Sequence, residues 1–274
     1  MTPSELPEEF SSMAGFGELV NFFPARKIKF WLPVIYGTVF LIISLASFLF
    51  GITMSSQEIR QHGTIVVGSL LFWPGIITLT AFLLAVWMAW LAYARWGLSA
   101  AVYQNGFAFN NREGLHTWFW QDVVSLYMAV TRHYTNGIYS GTTHVYSIVN
   151  KNGKCLVLND VINKVEEMAG LIEEYIYSGL YSQASQSYNS GKKLAFGNVI
   201  LDAGGIGIGK KEYAWNQVER VFLRQGVLHI VRKDGSFFKN ARVRVAAIPN
   251  FRVLISILEQ GCGVSNCHEV KISR

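Results

Sequence analysis

Three rhythms of apolar and polar positions divide this chain. Residues 30–52 form a run of 23 without a charged side chain, and residues 63–94 a second run of 32. A bilayer core of ~30 Å takes about 20 apolar residues as helix, so each run predicts a membrane-crossing helix. At ~1.5 Å per residue the second run would reach about 48 Å, so its end projects beyond the hydrocarbon. Pro74-Gly75 gives it a place to kink. Trp31, Trp73, Trp87, Trp90, Tyr93 and Trp96 lie near the run ends, where interfacial aromatics belong. Ten residues, 53–62, connect the runs, which predicts an antiparallel hairpin of two spans, about 30–52 and 64–94. Gly37, Ser44, Ser47, Gly51, Gly68 and Ser69 are the small residues expected where one helix packs on the other.

From residue 97 the period changes to short alternating runs broken by Gly, Asn-Gly and Asp-Gly, the chemistry of strands and turns. The same unit is written twice. Val102-Tyr103-Gln104-Asn105-Gly106-Phe107 matches Leu201-Asp202-Ala203-Gly204-Gly205-Ile206, and Trp120-Gln121-Asp122-Val123 matches Trp215-Asn216-Gln217-Val218. Tyr146-Ser147-Ile148-Val149 before Asn152-Gly153 matches Leu228-His229-Ile230-Val231 before Asp234-Gly235. Each copy closes on a helical pattern: Val165, Met168, Ala169, Leu171, Ile172 and Ile176 in one, Ile248, Phe251, Leu254, Ile255 and Leu258 in the other. Trp120 and Trp215, at equivalent places, are expected to pack the same core position twice. Residues 132–144 have no counterpart in the second copy and predict a longer hairpin or loop. The division expected is a cytosolic segment 1–29, the hairpin 30–96, a first unit 97–180, a linker 181–191, a second unit 192–262 and a tail 263–274.

A Gly-turned hairpin, a Trp-x-x-Val strand, an Asn-Gly or Asp-Gly hairpin and one closing helix, in that order, resemble pleckstrin-homology (PH) folds of the bacterial type. The two-span anchor followed by two such units is similar to an uncharacterised family of membrane-anchored, tandem PH-like proteins. The stretches Gly191-Lys192-Lys193-Leu194-Ala195-Phe196-Gly197, Trp215 and Ile248-Pro249-Asn250 are the most typical. The fold class this resemblance implies is an α+β membrane protein with two PH-like β-sandwich or barrel domains, each closed by a C-terminal helix. It implies no reaction.

Composition sharpens the picture. Only 15% of residues are charged and 51% are hydrophobic, against ~25% charged in an average soluble domain. Three cysteines exclude a disulfide scaffold. Arg26, Lys27, Lys29 and Arg95 flank the spans on one side, which predicts an integral membrane protein with both termini cytosolic. The absence of ionisable residues within the spans argues for an anchor rather than a transport path.

The net charge of +6 is unevenly spread. Residues 97–185 hold five Lys and Arg against seven Asp and Glu, whereas residues 186–262 hold twelve against five. A basic unit beside a membrane predicts anionic lipid head groups as partner, through Lys192, Lys193, Lys210, Lys211, Arg242 and Arg244. A protein partner or a second copy of the chain is the other expectation, and nucleic acid is not expected.

No catalytic motif, cofactor fingerprint or metal set emerges. Gly205-x-Gly-x-Gly209 precedes strand-like sequence rather than the helix a dinucleotide loop needs. His133 and His144 have no carboxylate nearby in sequence and are expected at the surface. Cys262, Cys267 and His268 lack a fourth ligand, so they read as free groups on a tail. The role expected is non-enzymatic interaction. An accessory subunit of a larger complex and an enzyme with an unrecognised site are the alternatives.

Overall fold

A computed structural model of the chain describes residues 10, 13, 15–62, 67–233 and 241–261. It is α+β, with two apolar helices near the N-terminus followed by antiparallel sheets. The first sheet, however, begins before the helices. Strand β1 (Leu19–Pro24) pairs antiparallel with β2 (Ser99–Tyr103), which continues into β3 (Gly106–Asn111) and β4 (Gly114–Phe119) in the order β1-β2-β3-β4. Phe22 lies opposite Ala101, Phe23 opposite Ala100 and Pro24 opposite Ser99. Residues 1–29, read from sequence as a segment apart, thus supply an edge strand whose Phe23 is buried in the first core. The whole helix pair, α1 (Lys27–His62) and α2 (Val67–Ala94), is inserted in what would otherwise be a β1–β2 turn. No local pattern shows this, because the pairing partner lies beyond both helices.

The helices are long and apolar enough to cross a membrane by length and composition. Their apolar residues point mostly outward: Ile42, Leu45, Phe72 and Leu79 are all exposed. Helix meets helix through small residues. Ser44 Oγ donates to Thr78 O at 3.0 Å and Ser47 Oγ to Pro74 O at 3.1 Å. A Cβ on Gly37 would stand 3.3 Å from Met88, and one on Gly51 3.2 Å from Pro74. Among the described residues a Cβ on Gly68 would meet nothing within 4 Å. The expected loop at 53–62 is helical, since α1 continues to His62. At the base, the Arg95 guanidinium donates to Lys29 O at 2.7 Å and Ala25 N–H to Leu98 O at 3.1 Å, which holds the two helix ends together.

A second sheet follows, with β5 (Val123–Thr135), β6 (Ile138–Asn150) and β7 (Cys155–Asn159) in that order, and α3 (Val165–Asn189) closes the unit. The core gathers Val102, Phe107, Leu126, Ile148, Leu158, Met168 and Ile172 from both sheets and the helix. The chain then repeats the plan. A four-stranded sheet holds β8 (Leu194–Phe196), β9 (Val199–Asp202), β10 (Gly205–Ile208) and β11 (Lys211–Ala214). A three-stranded sheet holds β12 (Val218–Arg224), β13 (Val227–Arg232) and β14 (Ala241–Arg244), and α4 (Phe251–Gly261) closes the unit. In both units the sheets stay separate, so the described residues form no closed barrel.

The repetition extends to single hydrogen bonds. Trp120 N–H donates to Asn105 O at 3.1 Å, and Trp215 N–H to Gly204 O at 3.1 Å. The indole N–H of Trp120 reaches Tyr103 O at 3.2 Å, and that of Trp215 reaches the equivalent Asp202 O at 3.3 Å. Both side chains are partly buried against their unit's core. Gly106 and Gly205 begin equivalent strands, and each is obligatory for the same reason. A Cβ would stand 2.3 Å from Trp118 O in one and 2.1 Å from Tyr213 O in the other.

The stretch read as a linker, 181–191, is mostly helix. Its Tyr181, Ala184 and Tyr188 pack on the second core, so the polar residues between them merely face water. The units are also joined directly. Asn250 accepts from Leu126 N–H at 2.9 Å through Oδ1, donates its own N–H to Leu126 O at 2.9 Å, and donates through Nδ2 to Val124 O at 2.8 Å. It thereby caps the open edge of β5 with one residue of the second unit. Tyr177 on α3 donates to Ser256 Oγ on α4 at 2.8 Å and stacks under the Arg252 guanidinium at 4.4 Å.

Candidate functional site

The outer face of the β12-β13-β14 sheet collects the cations. Val221, Leu228, Ile230 and Ala241 are buried toward the core. Strand alternation therefore turns Arg220, Phe222 and Arg224 of β12, His229 of β13, and Arg242 and Arg244 of β14 outward. Register sets Phe222 opposite His229 and His229 opposite Arg242, while Arg224 and Arg244 both lie opposite Val227. The Phe222 and His229 rings stack at 4.9 Å, and the Arg220 guanidinium sits 5.1 Å above Phe222. The four arginines ring an aromatic pair. Among the described residues none of them makes an ion pair. Glu219, left over where the register slips between Val218 and Arg220, is the acidic neighbour.

This concentration of charge leaves a mark on His229. Burial, then the charges of Arg242 and Arg224, hold its pKa below the ordinary value, so the ring is neutral at pH 7. The face can bind an anion, and it can do so bidentately wherever a guanidinium meets a carboxylate or phosphate.

The same face of the first unit is neutral. Register makes Ser125, Tyr127 and Ala129 of β5, Ser147 of β6, and Val157 and Asn159 of β7 the counterparts of Arg220, Phe222, Arg224, His229, Arg242 and Arg244. An aromatic residue persists at one position and every arginine is replaced.

The structure spreads the cations singled out from sequence over three places. Lys192 and Lys193 precede β8, and Lys193 Nζ lies 3.5 Å from Asp202 at the β9–β10 turn. Lys210 and Lys211 lie at the β10–β11 turn, the opposite end of that small sheet, where Gly209 N–H donates to Asn198 O at 2.8 Å. Arg242 and Arg244 belong to the face above. Sequence reasoning left Arg220, Phe222, Arg224 and His229 out of the site. The signal was present in the alternation Arg220-x-Phe222-x-Arg224, which only the strand register joins to Arg242-x-Arg244.

His144, expected at the surface, is instead a half-buried member of a polar cluster. Its ring lies 3.1 Å from Asp160, and its backbone N–H donates to the same carboxylate at 2.8 Å. Burial pushes the Asp160 carboxyl up, but the two hydrogen bonds from His144, then the charges of His144 and Arg26, outweigh it and leave the pKa lowered. Tyr146, stacked beside His144, is pushed up to about 12 by burial and by Glu166, Asp160 and Glu173. Arg26 immediately precedes α1, so this cluster sits at the root of the helix pair. Among the described residues no three His, Cys, Asp or Glu side chains converge as metal ligands would. Cys262, Cys267 and His268 lie outside the described residues.

The sequence pattern of one protein family, described as a family of unknown function (DUF6585), matches residues 11–264. Comparison with curated proteins finds no match.

Proposed function

The chain belongs to the family of unknown function DUF6585, and we propose that it is a membrane-anchored, non-catalytic docking protein. In this reading α1 and α2 span a bilayer, both units are PH-like and cytosolic, and the second offers its arginine face to an acidic protein segment. Four strands, a Trp turn, three strands and a closing helix, twice over, support the PH-like assignment. The exposed apolar helices support the span, and Arg26, Lys27, Lys29 and Arg95 at their root support a cytosolic side for the units.

The observation that carries the proposal is the contrast between the two outer sheet faces. Core positions are equivalent, so the four arginines serve no packing need. Holding four like charges together with no ion pair among the described residues costs stability, and that arrangement is what recruits a polyanion. An acidic protein is favoured over the lipid of the same bilayer by position. Asn163 N–H donates to Pro24 O at 2.8 Å, so α3 starts at the membrane side of the first unit. By Tyr175, which stacks on Trp120 at 5.1 Å, it has reached the far side. Its remaining residues add about 20 Å at ~1.5 Å per residue, and α4 packs on that distal half. A Debye length of ~8 Å at physiological salt leaves little attraction to the anchor's own leaflet at such a distance.

The test is to embed the full chain in neutral-lipid nanodiscs and titrate it with a fluorescent glutamate-rich peptide. Salt-sensitive binding that falls at least tenfold in the R220E/R224E/R242E/R244E variant supports the proposal. Capture of separate anionic vesicles without peptide binding would instead assign the face to the lipid of another membrane.

A further inference from the structure

We infer that the long β5–β6 hairpin is an arm that seats its tip, Tyr134, Ile138 and Tyr139, in the headgroup layer of the bilayer crossed by α1 and α2. The inference rests on the membrane-spanning reading of that helix pair.

Length comes first. In the second unit the corresponding hairpin closes right after Arg224 opposite Val227, with Gln225 and Gly226 as its turn. In the first unit pairing runs on from Ala129 opposite Val145 to Thr135 opposite Ile138, six residues further on β5 and seven on β6, or about 20 Å at ~3.3 Å per residue. The unit that carries the arm is the unit that carries the helix pair.

Direction is fixed by bonds along β6. At its far end Lys151 N–H donates to Asp122 O at 2.8 Å, beside Trp120 and away from the helices. At His144 the strand has come to Asp160, next to Val161, whose carbonyl accepts from Arg26 N–H at 2.7 Å at the start of α1. Followed from Asn150 to His144, β6 runs from the cytosolic end of the unit to its membrane end, and the arm continues past that end. The His144–Asp160 pair pins its root.

The chemistry suits an interface. Residues 128–144 contain no Asp or Glu and a single Arg. Ile138 is 74% exposed, Tyr134 60% and Tyr139 57%, so three large side chains crowd one tip in water. The tyrosine rings meet edge to face at 6.0 Å, and each couples an apolar body to a hydroxyl, as headgroup-level residues do. Asn136 and Gly137 both have positive φ, the conformation of a tight Asn-Gly turn, so the tip is ordered before it meets any lipid.

The test uses the full chain in lipid nanodiscs with native cysteines replaced by serine and an environment-sensitive fluorophore at one position: Ile138→Cys at the tip, Gln225→Cys at the short hairpin, or Ile42→Cys within α1. Shallow spin-labelled lipid should quench the Ile138→Cys probe at least twofold more than the Gln225→Cys probe, and deep spin-labelled lipid should quench the Ile42→Cys probe. Quenching at Ile42→Cys with none at Ile138→Cys overturns the arm and leaves the anchor standing. Absence of quenching at Ile42→Cys overturns the anchor, and the arm falls with it. A blue-shifted Ile138→Cys probe that lipid does not quench would mean that protein covers the tip, and it too overturns the inference.

Discussion

The two units use one scaffold for different surroundings. Their interiors agree strand by strand, down to the Trp120 and Trp215 turns and the paired glycines at 106 and 205. Their exteriors diverge at three places: the turn that receives the helix pair, the hairpin drawn out into an arm, and the sheet face that is neutral in one unit and arginine-lined in the other. Interior positions answer to packing, where the loss of one methylene is felt, whereas outward positions answer only to what lies outside. The difference between equivalent outward residues therefore reads as a difference in partner.

The comparison can be broken most forcefully at the shared glycines. Gly106→Ala and Gly205→Ala should each cost at least 1–3 kcal/mol, because the added carbon collides with a backbone carbonyl rather than a mobile side chain. A drop of about 4–8 °C in melting temperature per kcal/mol follows for a domain of this size. If only one substitution destabilises, the units are not equivalent at this point.

Asn250→Ala should come next. It leaves the Leu126 N–H without its acceptor, at a cost of about 1–3 kcal/mol. Amide exchange at Leu126 should speed up while exchange within each core stays slow. Unchanged exchange at Leu126 would mean that the units are held together elsewhere.

Acid sharpens the contrast between the faces. His229 has a lowered pKa when folded, so below its ordinary value the unfolded chain binds the proton more readily and stability declines as pH falls through about 6.5. His229→Gln should flatten that slope in a denaturation series from pH 8 to pH 5. Asp160, also lowered, contributes in the same sense over a more acidic range, through stability present above the ordinary carboxylate pKa and lost as pH falls through its folded value. Asp160→Asn should therefore matter at neutral pH and lose its effect in strong acid. The smallest change expected is Lys193→Ala, whose exposed ion pair with Asp202 contributes under ~1 kcal/mol. A larger loss would assign Lys193 a structural role that its exposure does not suggest.

Much of this was legible in the residues. The apolar runs gave both helices, internal similarity gave the duplicated unit, and Gly37, Ser44, Ser47 and Gly51 were correctly placed between the helices. What escaped was non-local. β1 is separated from its partner by the entire helix pair, so its short apolar alternation had no visible context. Residues 181–189 read as a linker because helix propensity there is overridden by the contacts of Tyr181, Ala184 and Tyr188 with the second core. The arginine face was half visible: Arg242 and Arg244 alternate in plain sight, but their union with Arg220, Arg224 and the Phe222–His229 stack depends on register across three strands. His144 was missed for the same reason, since Asp160 approaches it only across the β6–β7 pair.

The central claim is that position, and not charge alone, makes the second unit a docking surface. Two full-length variants of identical net charge test it: R220E/R224E/R242E/R244E, on the sheet face, and K192E/K193E/K210E/K211E, at the two ends of the β8–β11 sheet. With the glutamate-rich peptide in near-physiological salt, the first should lose at least tenfold in affinity and the second should lose less than threefold. Equal losses would contradict the account and reduce the arginine face to one part of a diffuse basic surface.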